Sequence, residues 1–477
     1  MLTRLLPLLC FAMPALAVEV SLSPGADVRG LTGSLAAGDV YTFADGTYEV
    51  TANWEITAPG TDGAPVVFKA ADGANPVIRL VESGNRVLRV YDSTFLRIEG
   101  VSFEMDDERY DSGGNGVRIE NSSDVLLQDG RVSRIGNSGI VVTGESARVE
   151  IRRMEVFDIR DGHGIYAGCG DASCFSRDFT IANNLVHGNG SRDDAARNDG
   201  IHVAPGGQNN VIRDNVIYDI NRHGIITQST EFGEKNVVES NVVWETIGSG
   251  LYITGSALVR NNVAFSTGQH GLYSDDNRES LENLAISFNT FADNGSASVR
   301  INNWAGRTGM VFANNLIANP VGDAFEADED DLDEQVLIST NVITGRVRNL
   351  DFDAGHFLYG GGYTEFENWQ DWNFYPTSGS VARAAADPAG ATFVPSLDFN
   401  GFERNGESPT IGAYEYVAQE NPGWLIREDF KELEDRTNDS DNTQGGCCGG
   451  GDGGATEAAV VLPFIGLGFL FRRRRRF

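Results

Sequence analysis

Lysine is nearly missing from this sequence. Only Lys69, Lys235 and Lys431 occur in 477 residues, and the formal net charge is −31. So acidic a chain lacks the basic footprint that duplex nucleic acid demands, and that partner is set aside. Anionic polysaccharide is also disfavoured, unless arginines or bound cations reverse the field locally. Cysteine is scarce too, with five residues and no second pair at zinc-site spacing. Cys169 and Cys174 bracket Gly170-Asp171-Ala172-Ser173, and a disulfide is expected there in an oxidising compartment. Metal binding by the pair and two buried free thiols are the alternatives. No part of the chain's interior shows a long 3.6-residue apolar period, so helical and leucine-rich repeats fit poorly.

The two ends carry what the interior lacks. Arg4, the apolar residues 5–16 and the small-residue site Ala15-Leu16-Ala17 read as a signal peptide over 1–17, with a membrane anchor as the alternative. Cys10 has no small residues before it, which argues against a lipoprotein signal. Near the other end, Gly445-Gly446-Cys447-Cys448-Gly449-Gly450-Gly451 leads to an apolar stretch, 458–471, and then to Arg472 through Arg476. That stretch is short beside the roughly 17 to 25 residues of a spanning helix, and the arginines favour the cytoplasmic side. The order of parts resembles the C-terminal sorting tags of Gram-negative bacteria that rhombosortases or myxosortases process. The resemblance implies a sorting protease as partner and an unprocessed tail anchor as the alternative. The expected division is a signal peptide over 1–17, a folded body over 18–416, an acidic then Gly-rich linker over 417–454, and a tag over 455–477. The body is expected outside the inner membrane, at the cell surface, outer membrane or beyond, touching membrane through the tag only.

Between the ends the sequence repeats. Asparagine precedes an apolar or β-branched residue at Asn184, Asn215, Asn241, Asn262, Asn289, Asn315 and Asn341, at steps of 31, 26, 21, 27, 26 and 26. Glycine precedes an aliphatic residue at Gly116, Gly139, Gly164, Gly200, Gly224, Gly250 and Gly271, in nearly the same phase. Segments such as 211–218 and 237–244 are short, β-branched and bounded by polar or glycine turns, as strands are. Three short strands and three turns per coil account for the step, and stacked coils build a continuous core. The asparagines suit bends, where they tolerate left-handed backbone angles and hydrogen-bond one another in ladders.

This cadence resembles the right-handed parallel β-helix of the pectate-lyase-like superfamily. The run 38–48 resembles an opening strand of such proteins. Residues 398–404 with 409–416 resemble their closing segment. The expected fold is therefore an all-β, single-stranded, right-handed parallel β-helix, with a β-propeller as runner-up. A monomer is expected.

Chemistry is sought where columns of side chains meet a long loop. Equivalent residues of neighbouring coils lie ~4.8 Å apart. The residues before the anchor glycines are Ser138, His163, Asp199, His223, Ser249 and His270. A His163-Asp199-His223 stack would orient a base, hold a proton or bind a cation. It would equally serve as a row of turn residues satisfying the backbone. Two positions beyond the glycines, the outward column reads Val141, Tyr166, His202, Ile226, Tyr252 and Tyr273. Its aromatics suit sugar rings. The longest coil, 36 residues from Gly164 to Gly200, brings Arg192 and Arg197 alongside.

The candidate catalytic residues are therefore Tyr166, Asp199, His202 and His223. Arg192, Arg197, Arg222, Tyr252 and Tyr273 are candidates for substrate binding. A polysaccharide lyase or C5-epimerase on an acidic polysaccharide is favoured over a glycoside hydrolase, whose paired carboxylates would come from Asp161, Asp193, Asp194 and Asp199. A non-catalytic protein binding surface glycan or matrix is the alternative. No intact catalytic motif of a named lyase or hydrolase family is present. No cofactor is certain. Calcium is the candidate because of Asp106-Asp107-Glu108 and Asp328-Glu329-Asp330-Asp331, although neither is a known calcium loop.

Overall fold

The computed structural model describes residues 17–432 except 34, 171–172, 175, 191–197, 229–234, 278–280, 349–356 and 388–393. The expected signal peptide (bar Ala17) and the sorting tag lie outside the described residues. Among the described residues no helix is long and apolar enough to cross a membrane.

The body is a right-handed parallel β-helix of about 11 turns, with almost no α-helix. Three ladders of parallel strands wind around one core. The first runs from Glu19–Leu22 to Leu337–Ser339. The second contains the strands that follow the anchor glycines: Ile140–Thr143, Ile165–Ala167, Ile201–Val203, Ile225–Thr227, Leu251–Ile253 and Leu272–Ser274. The third contains the strands that follow the asparagines, among them Leu185–Asn189, Val216–Ile220, Val242–Thr246 and Val263–Phe265.

Register makes the core. Ile165, Ile201, Ile225, Leu251, Leu272 and Val299 align through successive coils, and each is fully buried. Branched aliphatic residues fill a pleated inner face and stack on their own copies, which is why β-branched runs form these strands. The anchor glycines serve close approach. A Cβ on Gly224 would sit 2.3 Å from Val243 Cγ1 and 2.7 Å from the Gly250 carbonyl oxygen, so a side chain there would push the coils apart.

The asparagines form a buried ladder. From Asn184 to Asn341, each Nδ2 donates to the Oδ1 of the next asparagine at 2.9–3.0 Å, and all seven side chains are fully buried. The left-handed backbone expected of them belongs instead to their predecessors. Asn183, Asp214, Ser240, Asn261, Phe288, Asn314 and Thr340 have φ between 53° and 58°. The bend is made one residue early, which frees the asparagine to turn inward and bond the next coil.

The coil stack closes with Phe357–Tyr359, earlier than residue 416. The chain then folds back along the outside of the third ladder. Phe374, Phe399, Tyr414, Trp424 and Ile426 form a second apolar cluster with Trp244, Phe265 and Leu316. Asp398, Arg404 and Glu415, from the stretch read as a closing segment, are buried within this covering layer. Residues 417–432, expected to begin the linker, belong to the packed body. Lys431, fully buried, donates from Nζ to Asp214 Oδ1 at 3.0 Å and to the Ser240 carbonyl at 2.7 Å.

Candidate active site

The second ladder leaves its outer face uncovered by this layer over the middle coils, and there the charged and aromatic residues gather. Tyr166, His202, Ile226, Tyr252 and Tyr273 stand in register on neighbouring strands. The inward isoleucines at 165, 201 and 225 fix this orientation, because a strand that buries one residue turns the next outward.

Asp199 is the centre of the cluster. It is completely buried at the corner before Ile201–Val203. Its Oδ2 lies 3.0 Å from His202 Nδ1, 3.1 Å from His163 Nδ1 and 3.4 Å from Arg222 Nη1. Its Oδ1 accepts the His223 backbone N–H at 3.2 Å. Burial pushes this carboxyl up, but the imidazoles of His163 and His202 outweigh it and hold it well below the ordinary range. Asp199 is therefore a fixed anion, unsuited to giving up a proton as a general acid.

Around it the rings pack tightly. The His163 and Tyr166 rings stack at 5.1 Å, those of His163 and His202 meet edge to face at 4.6 Å, and those of Tyr166 and His202 lie 5.3 Å apart. His202 Nε2 lies 3.1 Å from Gln228 Oε1, so both ring nitrogens face acceptor oxygens. Burial pushes the His163 imidazole down, and the neighbouring Asp199 only partly offsets this. Cys169 and Cys174 are joined in a disulfide. Gly170, next to Cys169, lies beside Tyr166, since a Cβ there would sit 3.3 Å from its hydroxyl.

His223 faces away from this centre. Its Nδ1 accepts the Ser249 N–H at 2.9 Å, and Gly248 leaves the space for the ring edge. The neutral ring must then carry its proton on Nε2 and act there as a donor. The expected His163-Asp199-His223 stack is thus half correct: His223 reaches Asp199 through its backbone, and His202 takes the place of its ring. The column also does the structural work foreseen for it, because Ser138 Oγ, Asp199 Oδ1 and His223 Nδ1 each accept a backbone N–H from the next coil.

Burial lowers the His223 imidazole from 6.5 to about 4. Between those values the unfolded chain binds the extra proton, so His223 makes stability rise with pH across that window. On acidification from pH 7 to 4.5, wild type is expected to lose more unfolding free energy than His223→Asn, by on the order of 2 kcal/mol. Urea midpoints at the two pH values measure it, and parallel losses in both proteins would refute it.

Tyr252 and Tyr273 do not join the cluster. They stack on each other at 5.0 Å with planes 13° apart, and the His223 ring packs 5.1 Å from Tyr252. Tyr252 is buried, with its hydroxyl donating to Asp275 at 3.0 Å. Their faces are occupied by one another, so the column is not an open sugar platform. Arg192 and Arg197 lie outside the described residues, as do Asp193 and Asp194. Asp161 is paired with Arg160 at 2.8 Å. Of the acidic runs, Asp106 accepts from the Arg109 N–H at the start of the helix Asp107–Ser112, and Asp331 accepts from the Asp328 N–H in its own turn.

Gln228 was not among the candidates. It lies two positions beyond outward-facing Ile226, and the same alternation would have placed it on this face.

Comparison with known proteins agrees on architecture. A family model described as right handed beta helix region matches residues 81–232 and 115–282. No curated protein matches the chain. Among solved structures, pectate lyase Pel9A shares 14% identity at a TM-score of 0.55, covering 84% of this chain and 97% of its own. A mannuronic acid specific polysaccharide family 6 lyase from human gut microbiota shares 15% identity at a TM-score of 0.44, covering 72% and 91%. The A-module of the Azotobacter vinelandii mannuronan C-5 epimerase AlgE4 shares 15% identity at a TM-score of 0.44, covering 68% and 91%.

Proposed function

We propose that this chain is an exported, surface-tethered enzyme that removes the C5 proton of a uronic acid within an acidic polysaccharide. The β-helix alone does not select this chemistry, because the fold hosts many functions. The observation that carries it is the convergence of Tyr166, His163, His202 and Arg222 around one buried carboxylate, Asp199.

Tyr166, acting as its phenolate, takes the C5 proton and becomes the neutral phenol, leaving the electron pair at C5, next to the sugar carboxylate. Arg222, partly exposed and oriented by Asp199, neutralises that carboxylate. The His223 Nε2–H donates to the oxygen on which charge develops. Breaking the C4–O bond then gives a 4,5-unsaturated end, a lyase outcome. Returning a proton to the opposite face of C5 gives an epimer. The basic n-region and the Gly/Cys, apolar and arginine segments of the tag support export, tethering and release by a sorting protease.

The test is a panel of acidic and neutral polysaccharides incubated with residues 18–440 in D₂O, with and without calcium, and read by mass spectrometry. Unsaturated products mean a lyase, and deuterium gained without cleavage means an epimerase. Products carrying an added water would overturn the reading in favour of hydrolysis. Tight binding of a glycan without turnover or exchange would make the protein a surface glycan-binding protein.

A further inference from the structure

We infer that His163, Asp199 and His202 form a binding site for a divalent ion of the zinc type. One ligand atom from each of His163, Asp199 and His202 lies within 4.8 Å of the other two. The two nitrogen–oxygen separations, 3.0 and 3.1 Å, are close to the ~3.3 Å edge of a tetrahedral site with bonds near 2.0–2.1 Å. Along those two edges, a few tenths of an ångström of spreading would admit an ion.

A second observation points the same way. His163 is 8% exposed, and its Nδ1 is buried without a hydrogen-bond partner among the described residues. It stands 3.1 Å from Asp199 Oδ2, but not aligned as a hydrogen bond to that oxygen. A buried ring nitrogen without an aligned hydrogen-bond partner is costly, and a coordinated ion would satisfy it. The remaining contacts are those of oriented ligands. Gln228 holds the far nitrogen of His202, and the His223 N–H holds the second oxygen of Asp199.

Two imidazoles and one carboxylate select a borderline ion such as zinc or cobalt over calcium, which prefers oxygen ligands alone. Arg222 opposes the ion, because its guanidinium lies 3.4 Å from the same Asp199 oxygen. It is also partly exposed, so it has room to withdraw. Removing its charge is therefore expected to tighten ion binding. In the reaction proposed above, which this inference deepens, the ion would add positive charge beside the sugar carboxylate. Its test needs no substrate, so failure of one leaves the other standing.

The full chain, stripped with chelator, is titrated with zinc chloride by calorimetry and with cobalt chloride by visible absorption. One equivalent per chain is expected, with intense cobalt bands of low coordination number. His163→Ala and His202→Gln, each verified as folded by circular dichroism, are expected to bind about 100-fold more weakly or worse. Arg222→Gln is expected to bind more tightly. Absence of stoichiometric binding to wild type would overturn the inference. So would binding undiminished in His202→Gln, the milder variant, because the ion would then sit elsewhere.

Discussion

Asn241→Ala is expected to lose about 3–5 kcal/mol of stability. Asn241 Oδ1 accepts both the backbone N–H and the Nδ2 of Asn215, while its own Nδ2 donates to the Ile212 carbonyl and to Asn262 Oδ1. Alanine leaves the Asn215 N–H buried without its partner, removes a donor from the Ile212 carbonyl and opens a small void as well. Asn241→Asp keeps the shape but deletes the donor and buries a charge, so it is expected to lose at least as much. Guanidinium unfolding followed by circular dichroism measures both. An unchanged midpoint for Asn241→Asp would show that the ladder contributes shape and not hydrogen bonding.

Tyr166→Phe is expected to lower turnover about 10²- to 10⁴-fold on whichever polysaccharide the panel identifies, the scale of one lost proton-transfer group. The phenyl ring keeps its stack on His163, so the variant is expected to stay folded. Tyr252→Phe is the comparison. It too loses a hydroxyl from the same column, yet that hydroxyl is spent on Asp275 inside the wall. Equal losses in the two variants would remove Tyr166 from its role.

The fold was legible because two residue types mark two corners of each coil. Asn184 through Asn341 and Gly116 through Gly271 recur with the coil's own step, and register then assigns every aliphatic residue between them to the core. The covering layer had no such signal. Asn261 meets the Leu397 carbonyl across 136 residues and Asn183 meets that of Lys431 across 248, and no periodicity announces contacts that occur once. Part of the site could be read as well. Tyr166 and His202 were placed by alternation and Asp199 by its position before an anchor glycine, and the structure brings the three together. The direction each histidine takes at a corner was not readable, because His163 and His223 occupy equivalent positions and turn opposite ways. What decides between them is local: Ser249 offers an N–H to His223, and the ring of Tyr166 stacks against His163.

The layer that folds back over the third ladder fixes where any pull on the chain is felt. The described polypeptide leaves the body beside Asn183, Asp214 and Ser240, halfway along the stack and not at its end. Traction applied beyond residue 432 would therefore load the Lys431–Asp214 contact first and peel the layer away sideways. The coils would bear load only after that layer had gone. A chain held by that end would yield at its sacrificial flank while the turns that carry Tyr166, Asp199 and His202 stayed wound.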